Sequence, residues 1–163
     1  MKKDKTMLSS ASKKNSAIKI RKSTFSDSTS IYHLGKKIHE LDFSRKYPFH
    51  ELSEIKEFLS RPKENILFVA KENDKIVGFV FAKILSHHAG GWCMLDNLAV
   101  EKHHRHKHIA TQLLKELYTE LKKRKLWYVQ ILEEIHHKKT RAFWKREGYK
   151  ETKNFLWAEK VIR

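Results

Sequence analysis

An intramolecular disulfide is excluded in this chain of 163 residues, because it contains a single cysteine, Cys93. That scarcity fits a reducing compartment. No His and Asp accompany Cys93 in a nucleophile signature, so it reads as a small apolar residue near the start of a strand. No apolar run approaches the roughly 18 residues of a membrane span. The amino-terminal segment is basic but lacks an apolar stretch, which argues against a signal peptide and for the cytoplasm. Prolines number two and glycines five, and nothing beyond the amino-terminal tail is of low complexity. Negative charge is scarce too: 19 Asp and Glu face 35 Lys and Arg, giving a formal charge of +16. Such a balance fits an anionic ligand, an acidic partner or nucleic acid, or a merely solvated surface, and says nothing of fold.

What is present suffices for one domain with a real core. Residues 1–16 are rich in Lys and Ser without periodicity and read as a disordered basic tail; residues 17–163 read as the domain. AIKIRK, from Ala17, alternates as a strand. Thr24 to Asp27 offers helix-capping chemistry, and Ile31, Leu34, Ile38 and Leu41 follow at helical spacing. Phe43 to His50 reads as a loop broken at Pro48. Leu52, Ile55, Phe58 and Leu59 mark a second helix closed by Arg61-Pro62. ILFVAK (from Ile66) and IVGFVFAKIL (from Ile76) form a hairpin across ENDK. His87 to Gly91 is a further turn, and Trp92 to Val100 the next strand. Ile109, Leu113, Leu114, Leu117, Tyr118 and Leu121 share one face of a strong helix that runs to about Arg124. Trp127 to Leu132 reads as a core strand. Thr140 to Arg146 is a helix ended at Gly148, with Ala142, Phe143 and Trp144 pointing inward. Phe155 to Ile162 is a last strand. Antiparallel strands followed by a β-α-β crossover imply an α/β fold with a mixed, mostly antiparallel central sheet and helices on both faces.

The richest stretch is MLDNLAVEKHHRHKHIATQLL, Met94 to Leu114. It is a strand, a tight basic loop and the first turns of an amphipathic helix. Backbone N–H groups at a helix N-terminus attract anions, and Lys102, Arg105 and Lys107 add charge. A phosphate-bearing ligand is the reading.

On these residues the chain resembles GNAT-type N-acetyltransferases across Ala17 to Ile162. The family's acetyl-CoA loop, Q/R-x-x-G-x-G/A, stands here as Arg105-His106-Lys107-His108-Ile109-Ala110, with His108 in place of the usual glycine. LDNLAV before it, AFWKREGY near the C-terminus and the opening IKIRKSTFSDSTSIYHL are similar as well. The layout is most similar to acetyltransferases of polyamines and small amines. The resemblance implies a GNAT fold, acetyl-CoA as donor and direct attack by an amine with both substrates bound. It implies backbone of Leu98, Ala99 and Val100 along the pantetheine arm, and Arg105, His106, Lys107, His108, Ile109, Ala110 and Thr111 around the pyrophosphate. His137 stands where the family often has a cofactor-touching asparagine. Trp144 stands where many members have an acidic tyrosine; an indole N–H donates but is no proton source, so Trp144 is left to line the cofactor slot. Tyr118, Tyr128 or Tyr149 are the substitutes. Asp96 is the expected base, with Glu133 and Glu134 behind it. Glycine at position 108 would serve positive φ or close ligand approach. His108 at ordinary φ leaves the loop working; a demand for positive φ lowers cofactor affinity.

Other constellations carry less. Four histidines crowd residues 103–108, but zinc sites combine ligands from separate elements, so no metal is assigned. The basic run Lys122 to Lys125, and that from His136 to Arg141, lacks a nucleic-acid motif. Glu40, Asp42, Glu51 and Glu54 form the local acidic cluster on the side that usually takes the acceptor. The reading is acetyl transfer to a primary amine of a small molecule, a polyamine or a protein. Two others stay open: a GNAT-like domain that binds a CoA ester or partner without turnover, and a basic nucleic-acid-associated protein. Related folds often pair as homodimers.

Overall fold

The computed structural model describes residues 17–42, 49–86 and 90–153, with Ala158 and Lys160. The tail at residues 1–16, most of the loop at 43–50, residues 87–89 and nearly all of the expected last strand lie outside the described residues. The chain divides into two compact units after Gln130.

The first unit opens with β1 (Ile18–Lys22), which pairs antiparallel with β2 (Asn65–Glu72). β2 pairs in turn with β3 (Lys75–Ile84), and β3 with β4 (Trp92–Val100), both antiparallel. After β4 the chain crosses through α3 (Ile109–Lys123) to β5 (Tyr128–Ile131), beside β4 in the order β1-β2-β3-β4-β5. A helical crossover between neighbouring strands makes a parallel pair, so the sheet is mixed. β2 is buried along its first six residues, which is why its apolar run is continuous rather than alternating.

Both faces of the sheet are covered. Phe79 and Phe81 of β3 pack with Ile31 and Leu34 of α1 (Ser28–Gly35) and with Ile55 of α2 (Leu52–Ser60). Gly78 lies on the opposite face: a Cβ there would meet Ile109 and Leu113 of α3 at 3.4 Å and the Ala99 carbonyl at 2.9 Å. Each large apolar side chain fully buried in these layers contributes about 1.5–3 kcal/mol.

The caps follow the sequence. The Thr24 N–H donates to Asp27 at 2.7 Å, and the Arg21 guanidinium grips both oxygens of Asp27 at 2.6 and 2.7 Å. The Glu51 N–H donates to Glu54 at 2.7 Å and opens α2. The helical spacing reaching Leu41 is not realised as one helix. α1 stops at Gly35, and His39–Leu41 form a separate 3-10 turn. Gly35 is where the chain meets the Phe49 ring, which a Cβ would overlap, and glycine is a poor helix former. Ile38, at φ −115°, still reaches the core.

In the second unit, α4 (Lys138–Arg146) ends at Gly148, whose φ of 90° suits the turn. The Tyr149 N–H reaches back to the Trp144 carbonyl at 3.0 Å. Trp144 is buried, edge-on to Phe143 and Tyr149, while Ala142 is exposed rather than inward. Trp127 and Tyr128 also depart from expectation, at 67% and 51% exposed. β5 ends the sheet among the described residues, so its side chains lack the cover that β2 and β3 enjoy. No helix among the described residues is long and apolar enough to cross a membrane.

Candidate active site

β4 breaks its own alternation at Asp96. Phe81 pairs with Asn97, but Ala82 pairs with Leu95, so Asp96 has no partner on β3. This is a bulge, one extra residue on β4, and such a residue is re-aimed. Asn97 shares the face of Phe81, toward α1 and α2, while Leu95 shares that of Ala82 and Gly78, toward α3. Strict alternation would set Asp96 opposite Asn97. The bulge releases it, and Asp96 interacts with His50, just before α2, and with Lys83 of β3. Burial pushes the Asp96 carboxyl above the ordinary carboxylate range, and His50 and then Lys83 pull it part of the way back. A carboxyl raised this way is a stronger base than an exposed one.

His50 and Asn97 are functional candidates that the sequence reading left out. The His50 ring stacks on Phe81 at 6.1 Å and meets Phe49 and Phe58 edge-on at 5.2 and 5.3 Å. Its Nε2 is 3.2 Å from Asn97 Oδ1 and its Nδ1 is 3.7 Å from Glu54. The available signal was the polar pair Asp96-Asn97 inside an apolar strand, which breaks the two-residue period and marks a bulge.

Beyond the bulge, Leu98, Ala99 and Val100 pair with Val80, Phe79 and Gly78. Ala99 is buried in the core, and its neighbours are half-buried. The Glu101 N–H then bonds to the Val77 carbonyl at 2.8 Å, and a 3-10 turn, Lys102–His104, begins the loop. His104 faces inward, 3.0 Å from Glu72 and 2.8 Å from Glu101. Among the described residues no group of three or more His, Cys, Asp or Glu side chains is arranged to hold a metal ion. Arg105 folds back, donating from Nε to the Val100 carbonyl at 3.2 Å, and lies 3.4 Å from Glu40.

His106 and His108 have φ of 64° and 57°, both left-handed. At His108 the chain meets the demanding case: the backbone takes the glycine conformation with a histidine, one of the more tolerant types. His108 is the N-cap of α3, a helix of 15 residues. Lys102, Arg105, His106, Lys107, His108 and Thr111 are exposed and Ala110 half-buried. Ile109 is 1% exposed, so it can offer a ligand only its backbone. Backbone N–H groups at the start of a helix point along its axis toward the preceding loop. Backbone donors at a helix start amid exposed cations suit an anionic ligand.

The remaining expected residues are accounted for separately. His137 is the N-cap of α4, 3.2 Å from Glu134. Burial pushes the Glu133 carboxyl up, and its Oε1 is buried without a hydrogen bond. Burial also pushes the Cys93 thiol up to about 11, consistent with an inert packing residue. Within the acidic cluster Asp42 lies 3.4 Å from His39, and Glu51 pairs with Lys36 at 2.9 Å.

The chain matches the sequence profile of the acetyltransferase (GNAT) family over residues 32–149. No curated protein gives a match. Solved structures share the fold. A possible acetyltransferase from Clostridium difficile 630 superposes with a TM-score of 0.73 at 16% identity, over 90% of this chain and 99% of that one. The aminoglycoside N-acetyltransferase AAC(6')-Iy, in complex with the bisubstrate analogue CoA-S-monomethyl-acetylneamine, does so at 0.74 and 17%, over 90% and 100%. An aminoglycoside acetyltransferase from an uncultured soil metagenomic sample, in complex with sisomicin, reaches 0.74 at 14%, over 90% and 97%. With its profile spanning most of the chain and its strand-loop-helix arrangement in place, the protein belongs to the GNAT acetyltransferase family, enzymes that draw their acetyl group from acetyl-CoA.

Proposed function

We propose that this acetyltransferase acts on a primary amine of a small molecule, a polyamine or a protein, by direct attack with both substrates bound, and that Asp96 is its base. The observation that carries the reading is the β4 bulge, which leaves the half-buried Asp96, its carboxyl raised by desolvation, without a partner on β3.

Acetyl-CoA, when bound, would supply a thioester open to attack by an uncharged amine, the carbon–sulfur bond breaking as the amide forms and CoA leaving as a thiolate that takes up a proton. An amine of pKa near ~10 is an ammonium at neutral pH and has no lone pair to offer. Asp96 takes the proton that it must lose. Backbone N–H groups of the segment Leu98–Val100 supply the donor for the charge that develops on the acetyl oxygen. The loop from Arg105 to Ala110 and the first turn of α3, with Thr111, hold the pyrophosphate, and Lys102 and Lys107 add charge. His137 and Trp144 stand at positions where the family pattern has an asparagine that touches the cofactor and a tyrosine, and they are assigned to acetyl-CoA by position alone. Aminoglycosides, the acceptors of two of the structural neighbours, lead the panel of amines to screen, with polyamines and peptides after them.

The test is turnover of such a panel by wild type and by Asp96→Asn. The variant should lose most activity at low pH while keeping its affinity for acetyl-CoA. A wild-type pH profile in Asp96→Asn would dismiss Asp96 as the base.

A further inference from the structure

We propose that an acidic cavity between the end of α2 and the paired ends of β2 and β3 takes a second ammonium group of the acceptor, so that the substrate is a diamine or polyamine cation rather than a monoamine. The inference rests on the reading of the protein as an amine acetyltransferase and narrows its substrate class.

The cavity has a volume of about 200 Å3. Glu54, Glu57, Phe58 and Arg61 form one wall, at helical spacing along α2 and its C-cap. Asn65 and Lys83 form the other, as cross-strand partners on β2 and β3. Glu64 joins them just before β2. Asn65 is the residue that asks for a ligand. It is 6% exposed, and its Nδ2 donates to the Phe58 and Arg61 carbonyls at 3.2 and 3.3 Å. Those two bonds fix which way the amide faces. Its Oδ1 is buried and accepts no hydrogen bond, although buried acceptors are rarely left without a donor.

Charge selects the donor. In a chain of net charge +16, this lining is acidic, with three carboxylates against two cations. Arg61 is shared by Glu57 at 2.8 Å and Glu64 at 3.8 Å. Among the described residues Lys83 forms an ion pair with none of the three. The carbonyl end of a helix also favours positive charge, and α2 ends here. An ammonium supplies both missing elements, N–H donors for Asn65 Oδ1 and a charge for the surplus carboxylate, while Phe58 offers its alkyl chain an apolar wall. Sites that enclose a whole drug-sized ligand run to roughly 300–1,000 Å3, so this cavity suits one arm of an acceptor. Lys83 pairs on its other side with Met94, two residues before Asp96. Asn65 is thus two strand spacings, about 10 Å, from β4. An extended polyamine spans that distance, with one amine at the bulge and another in the cavity.

The experiment titrates the protein with spermidine, putrescine and butylamine in the presence of CoA, by calorimetry. It also measures kcat/KM for the same three amines with acetyl-CoA. Wild type is compared with the double variant Glu57→Gln/Glu64→Gln, whose changes are isosteric and at exposed positions; its urea midpoint reports that it is folded. Wild type should bind spermidine and putrescine at least about tenfold more tightly than butylamine, and turn them over with the same preference. The double variant should lose that preference. A cavity that holds only water would give equal binding of butylamine and spermidine, or a preference unchanged in the double variant, and either result overturns the proposal. The two readings fail differently. Equal turnover of butylamine and spermidine sinks the second-ammonium site and leaves the transferase reading standing. Spermidine binding that the double variant loses, without turnover of any amine, upholds the site and sinks the transferase reading.

Discussion

The left-handed backbone at His108 makes a prediction that joins stability to cofactor binding. A non-glycine residue at φ 57° bears a strain of about 1–2 kcal/mol, because its Cβ crowds the following carbonyl. Glycine removes that strain but loses about 0.5–1 kcal/mol more conformational freedom on folding. His108→Gly should therefore leave stability equal to wild type or raise it by up to about 1.5 kcal/mol. His108→Val places a β-branched side chain at the same φ and should cost about 1–2 kcal/mol. The two variants should then differ by roughly 2 kcal/mol in urea denaturation, or about 4–8 °C in Tm for a chain of this size. The functional arm uses the same proteins. If the backbone of the loop holds the pyrophosphate, His108→Gly keeps or improves acetyl-CoA affinity, while His108→Val weakens it. Equal stability of the Gly and Val variants would refute the left-handed conformation. A tenfold loss of affinity in a stable His108→Gly protein would show that the imidazole, not the backbone, grips the ligand.

Two further predictions concern the scaffold. Burial opposes ionisation of Asp27, yet Arg21 and Thr24 outweigh it and hold the carboxyl at about 2, against an ordinary 3.8. A lowered carboxylate pKa stabilises the fold fully above the unfolded value and loses that contribution as pH falls from about 4 to about 2. Asp27→Asn should thus cost on the order of 2 kcal/mol at pH 7 and progressively less in that acid window; a pH-independent difference in urea midpoints would contradict the assignment. Gly35→Ala should cost about 3 kcal/mol by driving Phe49 out of the core. A double-mutant cycle with Phe49→Leu should recover much of it, and strict additivity would show that Gly35 and Phe49 do not collide.

Much of the fold is legible because each signal had one physical meaning. The Leu113, Leu114, Leu117 and Leu121 stripe can only be a buried helix face, and all four are buried. The Thr24–Asp27 cap and the Arg61-Pro62 stop act locally, so sequence shows them. Gly35 was harder to read, since what ends α1 there is contact with a ring 14 residues away in sequence. Trp127 and Tyr128 look like core residues by type, but strand order decides their cover, and order is a property of the whole sheet. In the candidate site the basic loop is visible as a motif. His50 is not, because its proximity to Asn97 joins positions 47 residues apart and a lone histidine beside a proline-broken loop carries no period. Asp96 stood out as an acid on a strand, while the bulge that re-aims it is a matter of register.

The measurement closest to the central claim is calorimetric titration of the purified protein with acetyl-CoA, against free phosphate and ATP, in wild type and Ala110→Glu. Ala110 is half-buried in the first turn of α3, where a glutamate would bring bulk and negative charge to the anion site. The account predicts saturable binding to acetyl-CoA well above the controls, lost in a folded Ala110→Glu protein. Equal binding to every polyanion, or unchanged affinity in Ala110→Glu, would contradict the placement of the cofactor on this loop.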